Sequence, residues 1–361
     1  MKTVLNEFQE KYDFYDILDF SNKNLNELAA IVIAKAIQTS QAKMSCTGLC
    51  LRATYLNKLE TFIPFLTDTS IKYLDFSENL LEDEGFEYLL LVLGKQLERL
   101  DIRACGIKSI PIQSVEKCKS LKRLEISKNR IGSKGLNSLL EAVYLTLEQL
   151  TAVSCGITEI NEDLLKKCKF LKTLDIEDNP IGNSGFDCIV RSCFMNLEEI
   201  CALDCKITSI NSFFLGKCQK LVRINLSYNE IGDDGLDSIL SSLKGNKLEK
   251  LSIVNCGIQR FSRHDLFETC CVYLNHLSLL QNPLISEEID FLLYQIRFFP
   301  NLKTLWLDDS RAEDLMKIVN SQKFKLQIFL CSICSLPRIG SNSFFRLLSS
   351  SSILQRLFIL L

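Results

Sequence analysis

"LKRLEISKNRIGSKGLNSLL" occupies residues 121–140, and the chain says it again as "LKTLDIEDNPIGNSGFDCIV" at 171–190 and "LVRINLSYNEIGDDGLDSIL" at 221–240. The copies start 50 residues apart. Between them runs a second series: "LERLDIRACGIKSI" (97–110), "LEQLTAVSCGITEI" (147–160), "LEEICALDCKITSI" (197–210) and "LEKLSIVNCGIQRF" (248–261). Both series obey one template: apolar, two others, apolar, one other, apolar, two others, Asn or Cys, one other, apolar. A unit this short cannot bury its own apolar face. Stacked neighbours can, so self-similarity at this period predicts a stack of repeats with one continuous core.

Template starts fall near residues 15, 46, 71, 97, 121, 147, 171, 197, 221, 248, 274, 302, 326 and 354. The pattern resembles the leucine-rich repeat family, whose segment is a short strand followed by a turn. The resemblance implies an α/β fold, a leucine-rich repeat solenoid or horseshoe. Parallel strands would line its concave face, with helices and short helical turns on the convex face. The expected organisation is a flank over residues 1–14 and a repeat domain over 15–361 of about 13–14 units. In the first series, Ile131-Gly132 and Gly135-Leu136 precede apolar residues at helical spacing, so a helix follows. That half resembles the ribonuclease-inhibitor type of repeat. The second series, with Cys in the Asn slot and Cys118, Cys168 and Cys218 three residues before the next unit, resembles the cysteine-containing type of F-box proteins. It departs from that type by one residue fewer between Cys and the following "IT" pair. Phe213, Phe214, Phe261 and Phe267 are expected to fill the wider outer layer.

Cys105, Cys155, Cys205 and Cys256 alternate with Asn79, Asn129, Asn179, Asn229 and Asn282 in one slot. The slot turns inward after a strand, where backbone groups need partners. Asn serves them with an amide; Cys behaves as a small hydrophobe with a weak donor. Cysteines two units apart are separated by roughly 10 Å along the stack, too far for a disulfide or a shared zinc. "CSIC" (331–334) resembles a metal half-site, but Cys331 takes a template core position and Cys334 the Asn/Cys slot. No metal and no cofactor are expected.

The formal net charge of −2 and the lack of any contiguous Lys/Arg run argue against nucleic acid. No segment approaches the roughly 20 apolar residues of a membrane helix, and the first residues lack a secretory signal's apolar core. Sixteen cysteines then point to a reducing compartment, cytoplasmic or nuclear. The two histidines, His264 in a loop and His276 on a strand, form no catalytic arrangement with Ser and Asp, and no phosphate-binding glycine loop is present. A non-enzymatic chain is expected, without a small-molecule substrate.

Function is therefore sought on the strand residues between the template leucines, which point away from the core. The position between the second and third apolar residues reads Asp19, Cys50, Asp75, Asp101, Glu125, Thr151, Asp175, Cys201, Asn225, Ser252, Ser278, Trp306 and Leu330. Its first half is acidic, with Arg52 and Arg103 alongside. Its second half turns apolar around Trp306, near Tyr228, His276, Leu280, Gln281, Asp308 and Asp309. An aromatic ringed by polar groups is the chemistry of an interaction hot spot. The expectation is a scaffold whose concave face binds a partner protein, steered by acidity toward a basic surface. Two alternatives follow from resemblance. One is a ubiquitin-ligase substrate receptor, although the residues before the first unit are too few for an F-box. The other is an inhibitor or regulator of an enzyme such as a nuclease or a GTPase; activators of Ran-type GTPases carry such repeats, and Arg52 and Arg103 fall at outward positions. "LQRLFILL" (354–361) opens another strand and stops, which reads as a fragment or as an edge that docks.

Overall fold

A computed structural model of the chain describes residues 16–40, 46–270, 272–295, 299–307 and 327–330. The flank over 1–14, Cys271, Asp308 and Asp309, the "CSIC" stretch and residues 354–361 lie outside the described residues. The chain divides into two compact units, residues 1–173 and 174–361.

In the first unit, β1 (Asp16–Asp19), β2 (Cys46–Cys50), β3 (Tyr73–Asp75), β4 (Arg99–Asp101), β5 (Arg123–Glu125) and β6 (Gln149–Thr151) pair in chain order, all parallel. β7 (Thr173–Asp175) falls at the border. The second unit holds β8 (Glu199–Cys201), β9 (Arg223–Asn225), β10 (Lys250–Ser252), β11 (His276–Ser278), β12 (Thr304–Leu307) and β13 (Gln327–Leu330), again parallel and in order. Template leucines match register for register: Leu74 opposite Leu100 opposite Leu124, and Leu251 opposite Leu277 opposite Leu305.

At β13 the register corrects the template. Trp306 pairs with Phe329 and Leu307 with Leu330. Phe329, not Leu330, therefore holds the position equivalent to Trp306. A one-residue slip exchanges the two faces of a strand, and the run "LQIFLC" gives the template an apolar residue at either choice.

Outside the strands, the two series build different returns. The Asn units form long helices: α2 (Glu82–Leu93), α4 (Gly132–Val143), α6 (Gly182–Cys193) and α8 (Gly232–Ser242), following α1 (Glu27–Ser40). The Cys units form single turns: α3 (Ile112–Val115), α5 (Glu162–Leu165) and α7 (Ser212–Leu215). α9 (His264–Cys270) and α10 (Ser286–Gln295) complete the second unit. His264 thus opens a helix, where a loop was expected; Asp265 and the apolar Leu266 and Phe267 complete its first turn. In α4, the buried residues Gly135, Leu136, Leu139, Leu140 and Val143 lie on one stripe. Gly135 is there because the residue that caps its own helix crowds it: an added Cβ would sit 2.6 Å from Ile131 Cβ.

Backbone conformation separates the series as well. The residue before the slot is left-handed in both: Glu78, Ala104, Lys128 and Ser154 in the first unit, and Asp178, Asp204, Tyr228 and Asn255 in the second. Cys units add a second left-handed residue just after the slot (Gly106, Gly156, Lys206, Gly257), as does Tyr55 after Thr54. Asn units add theirs three residues after it (Glu82, Gly132, Gly182, Gly232). Glycine recurs at these positions because other residues pay about 1–2 kcal/mol there.

Of the four phenylalanines assigned to the outer layer, Phe261 and Phe267 are buried with ring centroids 4.8 Å apart. Phe214 is half-buried. Phe213 is the exception, exposed with Lys217 Nζ 4.1 Å from its ring centre. A one-turn helix turns only part of its surface inward, and Leu215 fills that place.

A further tie links each long helix to the next unit. Asp83 accepts from the backbone N–H groups of Lys108 (2.7 Å) and Ser109 (3.1 Å) and from the Ser109 hydroxyl (2.8 Å). Ser133, Asn183 and Asp233 do the same for residues 158–159, 208–209 and 259–260. Desolvation raises the Asp83 pKa, but these donors outweigh it and hold the carboxyl below its ordinary value. The stabilisation is then present above the unfolded-state pKa and is lost as pH falls through the lower, folded one. Asp83→Ala is expected to cost about 1 kcal/mol near neutral pH, as for a helix cap. Thermal midpoints of the two proteins should converge as pH falls below the ordinary carboxylate range; a pH-independent gap would contradict the assignment.

Candidate interaction surface

The slot residues show why the strand face is rigid. Asn129 Oδ1 accepts from Cys105 N–H and Ile107 N–H, both at 3.0 Å, while its Nδ2 donates to the carbonyls of Ile102 and Ile126, both at 2.8 Å. Asn229 and Asn282 repeat the pattern. The alternate thiols reach back one unit: Cys105 to Phe76 O (3.4 Å) and Cys155 to Ile126 O (3.4 Å) in the first unit, Cys205 to Ile176 O (3.3 Å) and Cys256 to Leu226 O (3.3 Å) in the second. Burial pushes all four thiols up to about 12, so thiolate chemistry is suppressed. Thr54 occupies the same slot in the second template match, with its hydroxyl on Leu51 O.

On this frame, the acidic row of the first unit is satisfied from within. Asp101 is held by Arg99, with Nη2 to Oδ2 at 2.7 Å and Nε to Oδ1 at 3.2 Å, and by the Tyr73 hydroxyl at 3.1 Å. The Arg99 guanidinium also lies 4.4 Å from the centre of the Tyr73 ring. Asp75 is buried and accepts from Ser77 N–H; burial first, then the Asp101 charge, push its pKa up to about 6. Glu125, half-buried, accepts from Ser127 N–H, and desolvation raises it too. Arg52 is exposed but pairs with Glu78 at 2.6 Å. Arg103 is half-buried beside this group, and its backbone N–H donates to Ser77 Oγ. The sequence reading is corrected on one point: these carboxylates do not stand open to solvent, because Arg99 and Ser77, two residues along their own repeats, and Tyr73 from the neighbouring strand close onto them.

In the second unit, Trp306 is 5% exposed and packs with Val254 and Leu280, with Tyr228 against the cluster. Tyr228 donates its hydroxyl to Gln281 Oε1 at 3.0 Å. Trp306 is on the strand face, as the template places it, but as the centre of a small core rather than as an open ring. His276 is buried, its Nδ1 against Thr304 Oγ1, and burial lowers its pKa to about 4, which keeps it neutral. Asp175 is buried, accepting from Glu177 N–H at 3.3 Å. Potential ligand atoms of Asp175, Glu177 and Cys201 lie within 4.8 Å of one another, one ligand short of a structural zinc set.

The accessible row lies further along, at the left-handed residues. Glu78 and Lys128 are exposed in the first unit, and Asp178 and Asn255 in the second, with Tyr228 and Gln281 half-buried beside them. Pleat alternation alone does not locate it. The signal available was the polar residue immediately before each Asn or Cys, where Asn, Asp and Lys stand in a turn.

A family model described as "Leucine Rich repeat" matches residues 117–140, 167–190 and 217–240, each containing one Asn-series copy. Among solved structures, an internalin of Listeria monocytogenes is 18% identical with a TM-score of 0.53, covering 83% of this chain and 77% of its own. A leucine-rich repeat protein of Leptospira interrogans is 16% identical with a TM-score of 0.53, covering 88% of this chain and 77% of its own. These likenesses concern the fold. None of the curated protein sequences compared with the chain matches it.

Proposed function

Because this chain is a leucine-rich repeat protein, we propose that it is a non-enzymatic scaffold that binds a partner protein through its strand face. The observation that carries the reading is the pairing of a backbone locked by the Asn ladder with an exposed row at its rim. A rigid surface loses little entropy on binding. Asp101 and Arg99 neutralise each other, and Arg52 and Glu78 are paired, so a partner displaying both signs of charge fits better than a purely basic one. The proposed contacts in the first unit are Arg52, Glu78, Arg103 and Lys128. In the second they are Tyr228, Asn255 and Gln281, with Trp306 and Leu280 supporting them from below.

The repeat types proposed are the ribonuclease-inhibitor-like and cysteine-containing ones, and the compartment proposed is the cytoplasm or nucleus. No helix among the described residues is long and apolar enough to cross a membrane. Affinity capture with the full chain, read by mass spectrometry, tests the role. A partner lost on combining Glu78→Lys with Lys128→Glu, or on Asn255→Arg, supports the strand face. Retention of every partner by both variants overturns it. Ligase subunits among the captured proteins would favour the substrate-receptor alternative, and a GTPase or nuclease the regulator.

A further inference from the structure

The loops that feed the strands of the first unit stack on one another. Glu98 N–H donates to Lys72 O, Lys122 N–H to Glu98 O, Glu148 N–H to Lys122 O and Lys172 N–H to Glu148 O, each at 2.8 Å. The side chains of the same ladder alternate in sign and consume one another: Lys72 and Lys122 on Glu98 at 2.7 and 3.3 Å, and Lys172 on Glu148 at 2.8 Å. What remains along this edge is basic. Lys95, Lys117, Lys119 and Lys167 are exposed and have no ion-pair partner among the described residues. Outside the ion pairs, loops 94–98, 116–122, 144–148 and 166–172 oppose them with one carboxylate, Glu116. Between the lysines stand two exposed apolar side chains, Leu145 at 60% and Phe170 at 54%.

We propose that this edge of the first unit is a second docking surface, for an extended acidic protein segment. The site is separate from the strand face and stands whether or not that face binds a partner. Charge selects the occupant: four exposed ammonium groups on one rim attract carboxylates. Spacing selects its form. Lys117 and Lys167 hold the same place two repeats apart, hence about 10 Å along the stack at roughly 4.8 Å per strand. An extended polyproline II chain, with three residues per turn and a rise of about 3.1 Å, presents every third side chain on one face at nearly that interval. Leu145 and Phe170 offer the intervening residues apolar contact. The lysines are scattered over separate repeats, so no basic run announces the edge in the sequence.

The test uses the full chain and a fluorescein-labelled peptide of about twelve residues, Glu at every third position and Leu or Ser between, an interval set by the three-residue turn of an extended polyproline II chain. Fluorescence anisotropy at low salt should show saturable binding that weakens as salt is raised and is lost when Glu is replaced by Gln. The triple variant Lys117→Glu, Lys119→Glu, Lys167→Glu should weaken it by about 30-fold, because each exposed pair contributes little and charge reversal adds repulsion. Phe170→Ser should weaken it less, and Lys128→Glu on the strand face should leave it unchanged. These lysines have no ion-pair partners to lose among the described residues, so the triple variant's circular dichroism melt should match the parent's. Absence of peptide binding, equal binding by the triple variant, or tighter binding to phosphatidylserine vesicles or to a single-stranded oligonucleotide of similar length would each overturn the proposal.

Discussion

Asn229→Ala is expected to be the most damaging single substitution considered, costing about 4 kcal/mol in the second unit. The side chain is 1% exposed and serves four backbone groups across two repeats: the N–H groups of Cys205 (3.0 Å) and Ile207 (2.9 Å) and the carbonyls of Ala202 and Leu226 (both 2.8 Å). Alanine leaves all four in an apolar core. Each orphaned buried group costs about 1–3 kcal/mol, and relaxation recovers part of the sum. Cys205→Ala, in the same slot one repeat earlier, removes a weak donor to Ile176 O and a small apolar volume, at about 1 kcal/mol. Repeat proteins need not unfold in one step, so denaturation midpoints should be accompanied by hydrogen exchange resolved to the Cys205 and Ile207 amides. Those amides should exchange much faster in Asn229→Ala and change little in Cys205→Ala. Equal losses in the two variants would mean that the slot is filled rather than bonded, and the ladder would lose its claim to hold the strand face rigid.

That contrast marks how much of the fold was legible. The slot, its inward direction and the quiet role of its cysteines followed from periodicity, because a two-state alphabet of Asn and Cys at one position requires a common environment. The strand order and helix placement followed for the same reason. The register of β13 did not, since "LQIFLC" carries apolar residues on both faces. Nor did the state of the strand face. A template tells which way Asp101 points but not that Arg99, two residues away on its own strand, folds back onto it. It also assigns Trp306 outward without revealing that Val254 and Leu280, from two other repeats, close around it. Both are contacts between side chains on the face that carries no template constraint. The accessible row and the basic edge were missed because their members lie one repeat or more apart, and only stacking sets them side by side.

Trp306→Ala is expected to cost about 3 kcal/mol in the second unit, the range for deleting a buried aromatic. On the preceding strand Trp306 is paired with Ser278, and Val254 and Leu280 supply its apolar walls. Ser278 is too small to fill the space the ring would vacate. Trp306→Phe keeps most of the volume and should cost about 1 kcal/mol, as volume-conserving swaps do. The chain has one tryptophan, so the parent reports on the site directly. Its emission should be blue-shifted and shielded from acrylamide in the native state, and should move to the red on unfolding together with loss of circular dichroism. A red-shifted, freely quenched native emission would contradict the burial. The distinction matters for any binding measurement. If Trp306→Ala loses a partner while its melt has fallen, the loss follows from a loosened surface. If the Phe variant, still folded, loses it as well, the indole itself is in the contact. Partner loss with an unchanged melt in the Ala variant would return Trp306 to the role of an open anchor, and would require Tyr228 and Gln281 to move aside on binding.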